Sequence, residues 1–315
     1  AEVFLRFLEY KSLENFPIHK LQYVYIKSQK VSLIEYLSFI SEKIHDTSVY
    51  VLPFYERLYP IEVNDFFKTY KEAIKITKAN YVAKQSFGKR WILNSLMNLP
   101  TTLKTKNILD KKEHFVNKPI VIISAGPSLE EDLKYLKHIK NKKQAYLFAV
   151  GSANKALINN NILPDAIITY DPQPHNIRVI SDLIKSTRLE IPVIFATSVG
   201  FETIDAYKGP KFHFVNSRDT VTNFYKNKLS KDYDTLDSTT VALISIQLAE
   251  QLGANKIILS GQNLAFRDNR YYSSGIKYDD WKGEVREDRE GLEITTVKDV
   301  YGNIIKTNEN LLNMK

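Results

Sequence analysis

The sequence contains no cysteine and no apolar run that approaches the length of a membrane helix. The absence of cysteine excludes disulfides and thiolate-ligated metals, and it fits a cytoplasmic protein. A membrane helix needs about 18 apolar residues in succession, and we expect no signal peptide before the first predicted domain. We therefore expect a cytoplasmic location and no membrane partner.

Histidine is also scarce, with six residues in the chain and no H-x-x-x-H spacing. That spacing places two zinc ligands on one helix face, so we expect no metal site. His213 lies inside a predicted strand, where a core residue with an internal partner is the more common interpretation. The chain also lacks the G-x-G-x-x-G and G-x-x-x-x-G-K-[ST] phosphate-binding fingerprints.

The net charge is +8, from 44 basic and 36 acidic residues. A basic surface attracts nucleic acid or an anionic small substrate. The lysines are scattered, however, and no motif of the common nucleic-acid-binding modules is present. We therefore expect no nucleic acid partner. An anionic small substrate is still compatible with the basic charge.

The chain is organised around residues 118–136. Residues 120–123 form a β-branched apolar run, typical of a strand covered on both faces. Gly126 would permit a positive φ, and Pro127 suits the first turn of a helix. Ser128 with Glu131 resembles a capping box. A strand, a small-residue turn and a helix start can bind a phosphate, although many such turns only connect two elements.

Residues 1–117 are predicted to be a smaller, mixed α/β domain. Its predicted elements are strands at 21–26 and 48–52, a helix at 32–44 opened by Ser32, and helices between 63 and 99 that end at Pro100. The polar, lysine-rich stretch 101–117 is the predicted boundary between this domain and the one that follows.

From residue 118 to 315 strands and helices alternate, which predicts a Rossmann-like parallel sheet with flanking helices, and thus an α/β protein. The predicted strands are 120–123, 145–150, 166–170, 191–196, 211–215 and 256–260, with helices at 153–159 and 237–251. Ligands of such sheets bind beyond the carboxyl ends of the strands.

Small and polar residues follow several of these strand ends, and they are the predicted nucleotide-binding residues. They are Ser124, Gly126, Pro127, Ser128, Gly151, Ser152, Gln173, Ser238, Thr239, Gly261, Gln262, Asn263, Tyr271 and Tyr272. Simpler interpretations stay open, since Ser238 and Thr239 could only cap a helix and the two tyrosines could only pack on a sheet edge.

Asp171 and His175 are the catalytic candidates. Asp171 follows a predicted strand, where its carboxylate could bind a ribose hydroxyl or a cation, although an aspartate before a proline also forms ordinary turns.

Four segments together resemble the motility accessory factor family, bacterial proteins implicated in flagellin glycosylation with nonulosonic acids such as pseudaminic or legionaminic acid. The segments are KRWILNSLMNL at 89–99, SAGPSL at 124–129, ILPD at 162–165 and GQNLA at 261–265. The resemblance covers nearly the whole chain and implies a glycosyltransferase.

Three segments also resemble the bacterial sialyltransferases with a Rossmann-like fold: GPSL at 126–129, TTVAL at 239–243 and KIILSG at 256–261. This resemblance implies that the loop and the second helix start hold CMP, with Tyr271 or Tyr272 on the phosphate. The chain departs from that pattern at Ala125 and Phe266, which replace an asparagine and a tyrosine, and no histidine follows His213 to serve as a general base.

The expected function is therefore the transfer of a nonulosonic acid of the pseudaminic, legionaminic or sialic type from a CMP-activated donor to Ser or Thr of flagellin, without metal or cofactor. The alternatives are a pterin pyrophosphokinase-like, ATP-dependent transferase, or a non-catalytic flagellin-binding chaperone. Motility accessory factors usually continue with a helical C-terminal domain, so we expect that domain to be missing here. We expect the polar stretch 268–303 to form a flap or hairpin.

Overall fold

A computed structural model describes residues 25, 32–44, 46–185, 189–217, 219–226, 238, 240–278, 294–299 and 302–312. The chain divides into two compact units after Gly88, earlier than the boundary predicted at residue 117. The lysine-rich stretch 101–117 belongs to the second unit, because it includes a strand of the sheet. Lys106 and Asn107 pair with Phe212 and His213.

The described part of the first unit is helical. Helix α1 (Leu33–Lys43) begins with the predicted Ser32 cap, which forms a complete capping box with Glu35. The predicted strand at 48–52 is wrong, because these residues lie in no strand and Pro53 opens helix α2 (Pro53–Leu58). The strand predicted at 21–26 lies outside the described residues except for Tyr25.

Helix α3 (Pro60–Lys104) is a single helix of 45 residues. It continues for one turn beyond Pro100, the predicted end. Proline removes one helical hydrogen bond. The turn after it nevertheless packs well, since Thr102 is buried and the amide of Thr105 donates to the carbonyl of Thr101.

Gly88 lies inside α3, and apart from its chain neighbours and the backbone of α3 no atom of the described residues would lie within 4 Å of an added Cβ. Glycine costs about 0.5–1 kcal/mol relative to alanine within a helix. We therefore expect Gly88→Ala to stabilise the protein by about 0.5–1 kcal/mol and to raise its melting temperature. Thermal unfolding followed by circular dichroism measures this, and a lower melting temperature would contradict it.

The second unit contains a seven-stranded sheet in the order β1-β6-β5-β4-β3-β2-β7, in which every pair is parallel. The strands are β1 (Lys106–Asn107), β2 (Pro119–Ile123), β3 (Tyr146–Val150), β4 (Ala166–Thr169), β5 (Val193–Ala196), β6 (Lys211–Phe214) and β7 (Lys256–Ser260). The predicted α/β class and its six predicted strands are thus confirmed, and β1 is an addition.

Helices cover both faces of this sheet. The helices that lie between the strands in the chain are α4 (Lys112–Phe115), α5 (Leu129–Asn141), α6 (Ala153–Asn159), α7 (Ser181–Lys185), α8 (Phe201–Ala206), α9 (Thr220–Lys226) and α10 (Val241–Gln251), with 3-10 turns at Ile108–Lys111 and Pro174–Val179. Successive strand residues enter opposite cores: Val121 packs with the α5 and α6 side, and Ile122 with the α10 side. This explains the absence of polar alternation in the sequence.

The strand order reverses between β2 and β7. From β2 the chain proceeds through β3, β4, β5 and β6 to one side, and β7 then pairs on the other side of β2. The carboxyl ends of β2 and β7 therefore form the switch point at which sheets of this kind bind ligands.

A separate antiparallel hairpin follows, formed by β8 (Ile294–Lys298) and β9 (Ile304–Asn308), before the short helix α11 (Glu309–Leu312). The described part of the stretch predicted as a flap or hairpin thus contains hairpin strand β8. The hairpin is joined to the loop after β7 through Phe266, whose amide donates to the carbonyl of Lys306 in β9.

Candidate functional site

The loops after β2 and β7 are joined by hydrogen bonds. The amide of Gly126 donates to the carbonyl of Gly261 at 2.8 Å. Asn263 Oδ1 accepts from both the amide and the hydroxyl of Ser128, at 2.9 and 2.7 Å. A backbone amide can only donate, so these two bonds fix the orientation of the Asn263 side-chain amide. Its Nδ2 group is therefore not the atom that is bonded to Ser128.

Two local predictions for this loop are wrong. Gly126 does not take a positive φ. A glycine is needed at this position for a different reason, because an added Cβ would lie 2.3 Å from the Gly261 carbonyl oxygen. Ser128 does not form a capping box, because its backbone is helical and its side chain makes no capping hydrogen bond. Asn263, which is distant in sequence, accepts the serine hydroxyl instead.

The first turn of α5 carries three carboxylates, each with a partner. Glu130 accepts from Arg270 at 2.7 Å and from the amide of Ser274, Glu131 from Arg267, and Asp132 from the Ser260 hydroxyl. Carboxylates near a helix start complement its dipole and compete there with an anionic ligand. The start of α5 is therefore less suited to a phosphate than the sequence pattern alone indicates.

The start of α10 differs, because its first turn contains no acidic residue. Thr240 is the cap, and its hydroxyl accepts from the amide of Leu243 at 3.2 Å, so the cap lies after the predicted Ser238 and Thr239. The Ser238 carbonyl accepts from the Tyr170 hydroxyl, which places this helix start beside the end of β4. Thr239 lies outside the described residues.

At the end of β3, Gly151 has a φ of +50°, a conformation that tight turns use and that favours glycine. The next residue, Ser152, forms a hydrogen bond with the Tyr278 hydroxyl. Burial is the main cause that raises the pKa of Tyr278. These contacts bring the segment after β7 over the end of β3.

The end of β4 places the two catalytic candidates together. Asp171 Oδ2 lies 3.7 Å from His175 Nε2, with side chains 48% and 59% exposed. Asp171 Oδ1 also accepts from the amide of Gln173 at 2.9 Å. The aspartate therefore forms the expected turn, while its second oxygen faces the histidine.

Tyr272 is the more enclosed of the two predicted tyrosines. Burial is the main cause that raises its pKa to about 12, with smaller contributions from Tyr278, Asp171 and Tyr271. Its hydroxyl is thus protonated at neutral pH. The adjacent Ser273 amide donates to the Ala125 carbonyl at 2.9 Å, so this segment crosses the end of β2. Tyr271 instead packs edge-on against Phe266 and accepts from Asn308.

Several positioning contacts were not predicted. Asn94 and Asn98 on α3 donate to carbonyls of the loops after β4 and β5. Their spacing of four residues within the LNSLMNL segment was the available signal.

The predicted residue Gln262 lies half-buried between Gly261 and Asn263.

Four further observations concern other parts of the described chain. His213 is a core residue as expected: burial lowers its pKa to about 4, and its Nδ1 lies 3.0 Å from the Thr105 hydroxyl. No group of three His, Asp or Glu side chains in the described ranges could hold a metal ion. Within the same ranges no helix is long and apolar enough to cross a membrane. A cavity of about 290 Å³ lies at the opposite edge of the sheet, lined by Asp165 and Pro192 at the amino ends of β4 and β5.

A family model described as "6-hydroxymethylpterin diphosphokinase MptE-like" matches residues 93–269, more than half of the chain. The chain belongs to the MptE-like family. The same family model is found in motility accessory factor-type glycosyltransferases, which confirms the resemblance drawn from the sequence. The MptE-like region contains both joined loops, the Asp171–His175 pair and the two asparagines of α3.

Two individual proteins are similar to parts of this MptE-like chain. An uncharacterized protein of Treponema pallidum (strain Nichols) is 30% identical over 130 residues, which cover 40% of this chain and 58% of that protein. A solved structure of the MAf glycosyltransferase from Magnetospirillum magneticum AMB-1 is 17% identical, with a TM-score of 0.48, over 64% of this chain and 29% of that one. The chain thus spans less than two thirds of either protein.

Proposed function

We propose that the chain is a glycosyltransferase that moves a nonulosonic acid from a CMP-activated donor to Ser or Thr hydroxyls of flagellin. The observation that carries the proposal is the joining of the β2 and β7 loops at the switch point, where Asn263 Oδ1 binds Ser128. A nucleotide is the usual ligand of this position in open parallel sheets. Membership in a family that includes motility accessory factor-type glycosyltransferases supports the choice of reaction.

Loss of CMP requires donors for the departing phosphate. Within this proposal the donors are Asn263 Nδ2 and the start of α10, whose first turn carries no acidic residue. Helix starts and preorganised hydrogen bonds stabilise developing negative charge without moving during the reaction. The bond from the sugar to the phosphate breaks, and the phosphate oxygen takes the electron pair.

The acceptor hydroxyl must lose its proton as the new bond forms. Asp171 and His175 are the proposed base and its partner, because they lie 3.7 Å apart beside the other strand ends and are half-exposed. A general base must reach the proton that it removes, and an exposed pair at the carboxyl edge meets this geometric condition.

A second candidate follows from the description of the family itself, which names a 6-hydroxymethylpterin diphosphokinase. Transfer of a diphosphate from ATP uses Mg²⁺ to neutralise the phosphates. The two functions differ in nucleotide and in metal requirement, so ligand binding separates them.

We expect CMP to raise the melting temperature of the protein in the absence of metal. A ligand that binds only the folded state at a hundred times its Kd adds about 2.7 kcal/mol of stability. Differential scanning fluorimetry with millimolar CMP, ATP and Mg-ATP tests this. A shift with Mg-ATP and none with CMP would favour the diphosphokinase, and the transfer of sugar to flagellin would then not be expected.

A further inference from the structure

One face of α3 carries three polar side chains at intervals of four residues: Arg90, Asn94 and Asn98. Residues four apart lie on the same side of a helix. Asn94 and Asn98 are 0% and 1% exposed, which is unusual for asparagine. Burial of such amides is stable only when they are hydrogen-bonded, so their partners indicate what they do.

The partners are the loops that follow β4 and β5. Asn94 Nδ2 donates to the carbonyl of Pro172 at 2.9 Å and to that of Ser198 at 3.0 Å. Asn94 therefore connects the two loops to each other. Asn98 Nδ2 donates only within the second loop, to the carbonyls of Thr197 and Val199.

Arg90 adds a second bond to the first loop. Its Nε donates to the Pro172 carbonyl at 3.1 Å, while its guanidinium forms an ion pair with Glu202 and lies over the Phe201 ring. The Pro172 carbonyl thus accepts from two side chains of α3. Pro172 directly follows Asp171 in the chain.

The two loops are also in direct contact. The Gly200 amide donates to the Asp171 carbonyl at 3.1 Å, and an added Cβ at Gly200 would lie 2.6 Å from the Gln173 carbonyl oxygen. The backbone that follows the Asp171 Cα is therefore held at two successive carbonyls, that of Asp171 by Gly200 and that of Pro172 by α3.

We propose that Asn94, together with Arg90, is a positioning residue that sets the orientation of the Asp171 carboxylate toward His175. The role of that pair rests on the proposed function, but the positioning itself is a property of the fold. The conformation of the loop after β4 would follow α3 rather than its own short turn. Asn98 holds only the neighbouring loop and has no direct part in this positioning.

The amides of Gln173 and Gly200 report the positioning without any assay of activity. The first donates to Asp171 Oδ1 and the second to the Asp171 carbonyl. We expect Asn94→Ala to increase the hydrogen-exchange rates of both amides at least tenfold. Ser95→Ala is the matched control, because Ser95 is equally buried on α3 and its hydroxyl has no hydrogen-bond partner among the described residues.

Asn98→Ala separates positioning from simple loss of stability. It removes two hydrogen bonds from the same helix, as Asn94→Ala does, but it should leave the exchange rate of the Gln173 amide unchanged. Equal acceleration at Gln173 in both variants, or none in Asn94→Ala, would overturn the proposal. If Asn94→Ala does not fold, Arg90→Lys decides, since lysine keeps a charge for Glu202 but cannot reproduce the Nε bond to Pro172.

Binding and turnover distinguish this proposal from the proposed function. The Kd for CMP should be unchanged in Asn94→Ala, because the β2 and β7 loops are not touched, whereas kcat for sugar transfer should fall at least tenfold. A wild-type protein that binds no CMP and transfers no sugar would remove the proposed function, while the exchange rates would still support or overturn the positioning.

Discussion

Gly261→Ala is expected to destabilise the sheet unit by about 3 kcal/mol, because it combines backbone strain with overpacking. Gly261 has a φ of +69°, and an added Cβ would lie 2.2 Å from the carbonyl oxygen of Ser124. The left-handed conformation costs a residue with a side chain about 1–2 kcal/mol, and overpacking costs about 1–3 kcal/mol. Since backbone atoms form the contact, a side-chain rotation cannot relieve it.

Two other glycines separate these contributions. Gly126→Ala introduces the close contact without a positive φ. Gly151→Ala introduces a residue at positive φ whose Cβ, apart from its chain neighbours, has no atom of the described residues within 4 Å. Each should destabilise less than Gly261→Ala does. Chemical unfolding of the three variants provides the comparison. A Gly261→Ala variant no less stable than Gly151→Ala would show that the β2 and β7 loops are not held as closely as described.

The sheet could be predicted because its signal is local. Strands covered on both faces appear as continuous runs such as 120–123, and the helices between them have the expected apolar spacing. The short strand β1 could not be predicted in the same way. It contains only Lys106 and Asn107, and it exists because it pairs with β6 at the sheet edge.

The candidate site was predicted less well, because distant residues determine its details. The hydroxyl of Ser128 has a plausible local role as a cap, but it donates to Asn263, 135 residues away. Likewise, the three carboxylates at the start of α5 are partnered from the last residue of β7 and from the segment after it. A sequence pattern indicates which strand ends carry polar residues. It does not show which of these polar groups already have a hydrogen-bond partner within the protein.

The prediction with the largest effect on binding concerns Asn263. Asn263→Asp keeps an oxygen that accepts from Ser128, so we expect the two loops to stay joined. It replaces the Nδ2 donors with a negatively charged oxygen. A hydrogen bond to a charged group contributes about 1.5–3 kcal/mol, so its loss together with charge repulsion should weaken CMP binding about 100-fold.

Asn263→Ala has the opposite balance, because it leaves the amide and hydroxyl of Ser128 without their acceptor and should lower stability by about 1–3 kcal/mol. Gln144→Glu is the control for charge, since it introduces the same change at an exposed position before β3, at the opposite edge of the sheet. Isothermal titration with CMP and a thermal melt of each variant separate binding from stability. Unchanged CMP affinity in a stable Asn263→Asp variant would show that this amide does not contact the nucleotide, and the ligand would then have to bind at the start of α10 alone.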